Sequence, residues 1–82
     1  MQRVIVVYDI VEDKTRTKVA DACKDYGLDR AQYSVFVGRL SRNHQEELMM
    51  TIDDLLFESH GNVTLIPIGE REWRNLLEVD YA

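Results

Sequence analysis

One acidic residue near the start of the chain has a side chain that could do chemistry. Asp9 lies almost at the end of RVIVVYDI, residues 3 to 10, a run otherwise rich in β-branched and aromatic residues. A carboxylate buried in such a strand is costly unless it is paired or binds a metal ion. We therefore expect Asp9 to be buried and functional. The simpler alternative is a strand-end carboxylate that caps the following loop.

The basic residues are concentrated in the same half of the chain as Asp9. The net charge of -5 argues against a nucleic-acid partner, because neutralisation of phosphates dominates such affinities. Residues 1 to 42, however, have eight Lys or Arg against six Asp or Glu, whereas residues 43 to 82 have two against nine. An anion-binding surface therefore belongs to the first half, unless these charges are simply solvated surface groups.

The sequence offers few other metal ligands. His44 and His60 are isolated and are interpreted as solvated polar residues. The single Cys23 excludes a disulfide within the chain and a cysteine-based metal cage. One carboxylate alone binds Mg²⁺ poorly. If the first strand lies at a two-fold axis, two copies of Asp9 together with water molecules would form a suitable site for this hard cation.

The hydrophobic pattern predicts the elements that position these residues. Residues 3 to 10 are apolar on both faces, as in a central strand. The period then changes to that of a helix, with Asp13 as the N-cap and Gly27 just beyond the helix end. Residues 28 to 40 return to a strand composition and form either one bent strand or two short ones.

The second half of the chain adds a helix and a strand. The pattern predicts a helix from Ser41 or Asn43 to about Phe57. The strand VTLIPI, residues 63 to 68, is expected at a sheet edge or strand end because it contains a proline. A helical turn is expected around Trp73.

The order of these elements indicates an α+β protein of one domain, residues 1 to 82. A β-α-β-β-α-β order is typical of the ferredoxin-like sandwich, in which two helices cover one face of a sheet. The second face needs a cover, so we expect a homodimer. LLEVD, residues 76 to 80, is predicted to be an extra C-terminal strand that pairs with the partner's sheet. No apolar stretch approaches the roughly 20 residues of a membrane span, so we expect a cytoplasmic protein.

Four segments of the sequence resemble a known family. VVYDI closes the first strand, DKTRTK opens the helix, YGLDRAQYSVFVGRL follows it, and VTLIPI is the late strand. Together they resemble the small CRISPR-associated adaptation proteins of the Cas two family over essentially the whole chain. The resemblance implies a homodimeric, Mg²⁺-dependent endoribonuclease that cuts single-stranded RNA, with DNA as the substrate of some members. The family's metal-binding acid, implied to be catalytic, corresponds to Asp9.

The resemblance also implies residues that bind nucleic acid. The family's basic positions correspond to Arg16, Lys18 and Arg30. Its aromatic position corresponds to Phe36, whose ring is expected either to stack on a base or to belong to the core. Tyr33, in the same segment, has a weaker claim and is easily a packing residue.

Two further functions are compatible with these residues. The chain could be a non-catalytic subunit that bridges DNA in the spacer-integration complex, with an integrase as its partner. The basic positions would then matter and Asp9 would not. The other alternative is a ferredoxin-like regulatory domain that binds a small ligand, which the lack of a glycine-rich or polar pocket motif disfavours.

Overall fold

A computed structural model describes residues 1–81 as a four-stranded antiparallel sheet with three helices. The bounds are β1 Gln2–Ile10, α1 Asp13–Asp25, β2 Asp29–Gln32, β3 Val35–Leu40, α2 Arg42–Leu56, β4 Gly61–Ile68 and α3 Glu70–Arg74. The strands lie in the order β2-β3-β1-β4, and each neighbouring pair is antiparallel. The first strand is therefore central and the proline-containing strand is at an edge, as predicted. Among residues 1–81, the helices are too short or too polar to cross a membrane.

One face of the sheet packs against α1 and α2 and forms the core. Alternate residues of β1, from Val4 to Ile10, point to this face and are at most 3% exposed. They belong to one hydrophobic cluster with Leu48 and Ile52 of α2, which are fully buried. Because successive side chains of a strand point to opposite faces, the intervening residues of β1 point away from the core.

The second face of the sheet, here named the open face, is only partly covered. Ile5 of β1 is half-buried, Val7 is 38% exposed, and Ile66 of β4, which pairs with Ile5, is 42% exposed. The prediction that both faces of the first strand are buried is therefore wrong within one chain. At one end of β1 the third helix does cover this face, where the Arg3 guanidinium lies 4.6 Å from the centroid of the Trp73 ring.

The helix ends follow the sequence signals with one correction. α1 has Glu12 as its N-cap, whereas Asp13, predicted as the cap, is the first helical residue. At the other end, Gly27 has a φ of +82°, and its N–H donates to the carbonyl of Lys24 at 2.9 Å. This is the left-handed helix ending that favours glycine. α2 begins after Ser41, one of the two predicted starts, whose side chain caps the helix.

The segment of residues 28–40 forms two strands rather than one bent strand. β2 and β3 pair as a hairpin, and the register shifts between Arg30 and Gln32. Tyr33 and Ser34 form the turn of this hairpin. The shift matters for the site, because a bulge changes the direction in which the neighbouring side chains point.

The predicted C-terminal strand does not form within the chain. Trp73 lies in α3, which confirms the predicted helical turn, but residues 76–81 have no regular secondary structure. The apolar side chains of this tail are exposed, at 94% for Leu77, 80% for Val79 and 94% for Tyr81. Pairing of the tail with a partner's sheet requires a second copy of the chain and stays a prediction.

Cys23 provides a test of the core. Its side chain is fully buried, and burial raises the pKa of the thiol to about 11. We expect iodoacetamide to label the folded protein at least about 100-fold more slowly than the unfolded protein at pH 8, because the thiolate is the reactive form. Mass spectrometry gives both rates. Equal rates would contradict the packing of α1 on the sheet.

The same shift gives a pH dependence of stability. The ordinary pKa is 9.0, so between pH 9 and pH 11 the folded thiol keeps its proton while the unfolded one loses it. The contribution of Cys23 to stability is therefore full below about pH 9 and is lost as the pH rises towards 11. The difference in the free energy of unfolding between wild type and Cys23→Ala should shrink over this range in urea titrations.

Candidate functional site

Asp9 lies on the open face of the sheet. It pairs with Asn62 of β4 near the end of β1, and its side chain is exposed. The prediction that Asp9 is buried is wrong, because its neighbour Tyr8 points to the core and strand alternation turns Asp9 the other way. The carboxylate is exposed to solvent within one chain, so the cost of burial does not by itself require a metal partner.

One chain does not provide a complete metal site. No group of three or more His, Cys, Asp or Glu side chains among residues 1–81 is arranged to hold a metal ion. Asp9 offers one exposed oxygen-donor group. Mg²⁺ binds through one or two carboxylates and keeps several waters, often with substrate phosphates. The donor chemistry of Asp9 therefore fits Mg²⁺, but only if a second carboxylate or a phosphate completes the site.

Arg16 lies where β1 ends and α1 begins. Its Nη1 donates to the carbonyl of Ile10 at 3.0 Å, and its Nη2 forms an ion pair with Asp13. The hydrogen bond to Asp13 raises the pKa of the guanidinium, which is charged at every physiological pH. Its central carbon lies 5.6 Å from the centroid of the Tyr33 ring. Arg16 is thus held between the strand end and the hairpin turn.

Arg30 approaches the same region from β2. Its Nη1 donates to the carbonyl of Tyr33 at 2.6 Å, and its guanidinium lies 4.9 Å from the centroid of the Phe36 ring. The residue precedes the register shift of the hairpin. A hydrogen bond on one side and an aromatic face on the other fix the position of this exposed cation.

A depression, here named the basic cavity, is lined jointly by α1, β1 and the β2–β3 hairpin. It has a volume of about 190 Å³ and is lined by Tyr8, Arg16, Thr17, Ala20, Asp21, Lys24, Arg30 and Tyr33. Its three basic residues outnumber its one acid, although the whole chain has a net charge of -5. The phenol of Tyr8 is neutral here, because burial raises its pKa. The cavity is therefore suited to an anion that also has hydrogen-bonding groups.

The structure brings some of the predicted residues together and separates others. Arg16 and Arg30 both line the basic cavity, as the predicted nucleic-acid surface requires. Lys18 is exposed, but it lies about 200° around the helix from Arg16 and does not line the cavity. Asp9 does not line it either and points to the opposite face from Tyr8.

Phe36 belongs to the core. Its side chain is 0% exposed, and its ring stacks on that of Tyr8 with centroids 6.2 Å apart and an angle of 22° between the planes. A base cannot reach a ring that has no exposed surface. Of the two roles considered for Phe36, the core role is the one present in this fold, and we remove it from the nucleic-acid surface.

Two residues of the cavity lie outside the main prediction: Lys24 was not assigned to the site, and Tyr33 was given only a weaker claim. Lys24 could have been found from helical periodicity. It follows Arg16 and Ala20 at intervals of four residues, which places all three on one face of α1. Tyr33 is 68% exposed because it lies in the turn of the hairpin, so of the two roles left open for it, packing in the core is not the one present. No single-residue pattern separates a turn tyrosine from a strand tyrosine in this segment.

The sheet, its helices and the basic cavity define a small α+β protein suited to bind an anionic partner. Comparison with known sequences gives the family: the model of CRISPR associated protein Cas2 matches residues 1–76. A CRISPR-associated endoribonuclease Cas2 of Chloroflexus aurantiacus is 46% identical over 79 residues, which cover 94% of this chain and 93% of that protein. The chain belongs to the CRISPR-associated protein Cas2 family, which confirms the resemblance of its motifs.

Two further relatives are informative. A protein of Thermoproteus tenax, named a CRISPR-associated endonuclease Cas1/endonuclease Cas2 fusion, is 38% identical over 68 residues, covering 83% of this chain and 26% of the fusion. A crystal structure of Streptococcus pyogenes Cas2 at pH 6.5 has a TM-score of 0.79 over 95% of this chain and 99% of that chain, at 23% identity. This likeness shows that the fold is shared.

Gly61 fixes the position of the β1 end that holds Asp9. It pairs with Ile10 and has a φ of +153°. A Cβ atom at this position would lie 2.6 Å from the backbone oxygen of Asp9 and 2.9 Å from the Cα of Ile10. We expect Gly61→Ala to lower the free energy of unfolding by about 1 to 3 kcal/mol and to shift the amide resonances of Asp9 and Ile10.

Gly27→Ala is the matched control. Gly27 also has a positive φ, of +82°, but a Cβ there would have no atom within 4 Å. We expect only the local backbone cost, about 1 kcal/mol, with the Asp9 resonance unmoved. If both variants lose the same stability and neither moves Asp9, close packing at Gly61 does not position the acid.

Proposed function

We propose that the protein is a metal-dependent endonuclease of CRISPR adaptation that cuts single-stranded RNA or DNA. The observation that carries the proposal is the basic cavity, which gathers Arg16, Lys24 and Arg30 in an otherwise acidic chain. It lies beside β1, whose next-to-last residue is Asp9. Relatives named endoribonucleases support the reaction class. The arginines would bind phosphates in the cavity. Asp9, on the open face at the end of the same strand, would take part in the metal-dependent cleavage.

We infer that the fold is the ferredoxin-like sandwich and that the active form is a homodimer. The β-α-β-β-α-β order and the β2-β3-β1-β4 sheet support the first inference. The open face supports the second, because Val7 and Ile66 are partly exposed apolar residues that a second copy would bury. Pairing of residues 76–80 with the partner's sheet would bury the exposed tail as well.

The dimer would also bring a second Asp9 to the site. We propose that the two Asp9 carboxylates hold Mg²⁺, which when bound would activate a water molecule and stabilise charge on the phosphodiester. Arg16 is suited to orient a phosphate, because the Ile10 carbonyl and Asp13 fix its guanidinium. Lys18, exposed on another side of α1, would contact the backbone of the nucleic acid outside the cavity.

The first test of this function replaces the acid. We expect Asp9→Asn to reduce Mg²⁺-dependent cleavage of a labelled single-stranded RNA by at least about 100-fold, with the sedimentation coefficient unchanged. Mg²⁺ should raise the melting temperature of wild type and not that of the variant. Asp53→Asn, at an exposed acid of α2, is the control and should cut normally. Cleavage by Asp9→Asn at the wild-type rate would overturn the nuclease assignment.

The alternative is a non-catalytic subunit that bridges DNA in a spacer-integration complex. The Thermoproteus tenax fusion, in which Cas1 and Cas2 form one chain, favours an integrase as the partner. Asp9 is exposed, and residues 1–81 contain no group of three or more metal-ligating side chains around it; a bridging role needs no such site. An integration assay separates the two functions. Activity that survives Asp9→Asn but is lost in Arg16→Ala would support bridging, whereas loss in Asp9→Asn would support catalysis.

The dimer is tested by removing the tail. We expect deletion of residues 75–82 to give monomer or aggregate in analytical ultracentrifugation, because the partner's sheet edge would be left unpaired. Cleavage should fall in proportion to the dimer fraction. Deletion of residues 81–82 alone, which keeps the LLEVD segment, is the control and should leave the dimer intact. A stable dimer without residues 75–82 would show that the open face alone holds the copies together.

A further inference from the structure

We propose that Tyr33 is a stacking platform and that the basic cavity takes one unpaired nucleotide of a single strand, with the base on the Tyr33 ring. This inference rests on the proposed function, since it names what occupies the same site. It replaces the expected contact of a base with Phe36, which is fully buried. Three observations support it: the exposure of Tyr33, the charges around its ring, and the size of the cavity.

The ring of Tyr33 is exposed on a backbone that is firmly held. The residue lies in the hairpin turn and is 68% exposed, so its ring contributes little to the core. Its carbonyl accepts one hydrogen bond from Arg30 Nη1 at 2.6 Å and another from Tyr8 Oη at 3.4 Å. A large aromatic side chain on an anchored turn loses little conformational entropy when a ligand stacks on it. It is therefore a suitable binding surface.

Positive charge surrounds the ring on the cavity side. The Arg16 guanidinium lies 5.6 Å from its centroid, and Lys24 and Arg30 complete the cationic lining. A nucleotide has a flat aromatic base next to an anionic phosphate, which matches a ring beside three cations. Proteins that bind single strands combine these two features, with successive bases stacked on aromatic side chains and the backbone in a basic groove.

The cavity size favours an unpaired nucleotide over a duplex. Its volume of about 190 Å³ equals roughly six water molecules at about 30 Å³ each, which is room for one base and not for a base pair, so the sugar and phosphate would extend along the basic residues at the rim. In a duplex each base is paired and stacked, so its flat face is not free to contact Tyr33. A single strand presents that face without the cost of unstacking a helix. The substrate class that fits is therefore single-stranded RNA or DNA.

Equilibrium binding tests the stacking role. Anisotropy of a fluorescent ten-nucleotide RNA and of the duplex of the same sequence is measured in the Asp9→Asn background, so that neither is cut. We expect Tyr33→Leu to weaken single-strand binding about 5- to 100-fold, and Tyr33→Phe to change it less than about twofold, because the ring is kept. Duplex binding should not change. Phe57→Leu, at an exposed aromatic of α2's C-cap, is the control.

The salt dependence separates stacking from phosphate binding. Lys24→Gln should reduce the slope of log affinity against log salt for the single strand by about 0.7, whereas Tyr33→Leu should leave the slope unchanged. Circular dichroism melts check that each variant is folded. A folded Tyr33→Leu protein that binds the single strand like wild type overturns the inference. So does a Tyr33→Phe protein as weak as Tyr33→Leu, or equal losses for single strand and duplex.

These outcomes are independent of the cleavage assay. Normal single-strand binding with Tyr33→Leu, together with cleavage that depends on Asp9, overturns the stacking role and leaves the nuclease function standing. Weakened single-strand binding by Tyr33→Leu, together with cleavage that does not depend on Asp9, would support the stacking role and overturn the nuclease function. A protein that binds duplex and no single strand overturns the stacking inference and favours the DNA-bridging alternative.

Discussion

The antiparallel pairing of β1 between β3 and β4 is the constraint on which the rest of the structure depends. Both edges of β1 are hydrogen-bonded, so a slip of one residue would exchange its two faces and bury the wrong side chains. The buried set, from Val4 to Ile10, fixes this register. Tyr8 must then face the helices and Asp9 the open face. The separation of the acid from the basic cavity therefore follows from strand register rather than from side-chain rotamers.

Arg16 contacts both the end of β1, where Asp9 lies, and the basic cavity. It hydrogen-bonds the carbonyl of Ile10, the residue after Asp9, while also lining the cavity with Tyr33. Its guanidinium therefore lies close to the end of β1, where the two faces of the sheet meet. Under the proposed function, a nucleic-acid strand bound in the cavity would continue past this end towards Asp9 on the open face.

Much of the fold could be predicted from the sequence, because β1, α1, α2 and β4 have clear hydrophobic periods and recognisable ends, such as Gly27. The candidate site was harder to predict from the sequence. Burial of Asp9 was inferred from apolar neighbours, but period-2 alternation in a sheet with one covered face gives an exposed residue between two buried ones. The family motif identified an aromatic residue at Phe36 but gave no information on whether its ring is buried. The exposed aromatic is Tyr33. Its exposure depends on the hairpin turn, and the composition of residues 28 to 40 did not decide between one bent strand and two strands joined by a turn.

The local charge of the cavity is a better guide to binding than the net charge of the chain. At physiological salt the screening length is about 8 Å, and the molecule measures 38 × 34 × 18 Å. Acidic groups farther than this from the cavity are therefore largely screened from a phosphate bound there. Arg16, Lys24 and Arg30 line the cavity with only Asp21 as an acidic neighbour in the lining, while Asp13 pairs with Arg16. Three cations neutralise only a few phosphates, so one chain would bind a strand weakly. Two copies joined through the open face would present two such cavities, and simultaneous contact would raise the affinity without any new basic residue. An acidic chain can thus bind nucleic acid if it binds as a dimer, which links the uncovered apolar face to the charge pattern of the sequence.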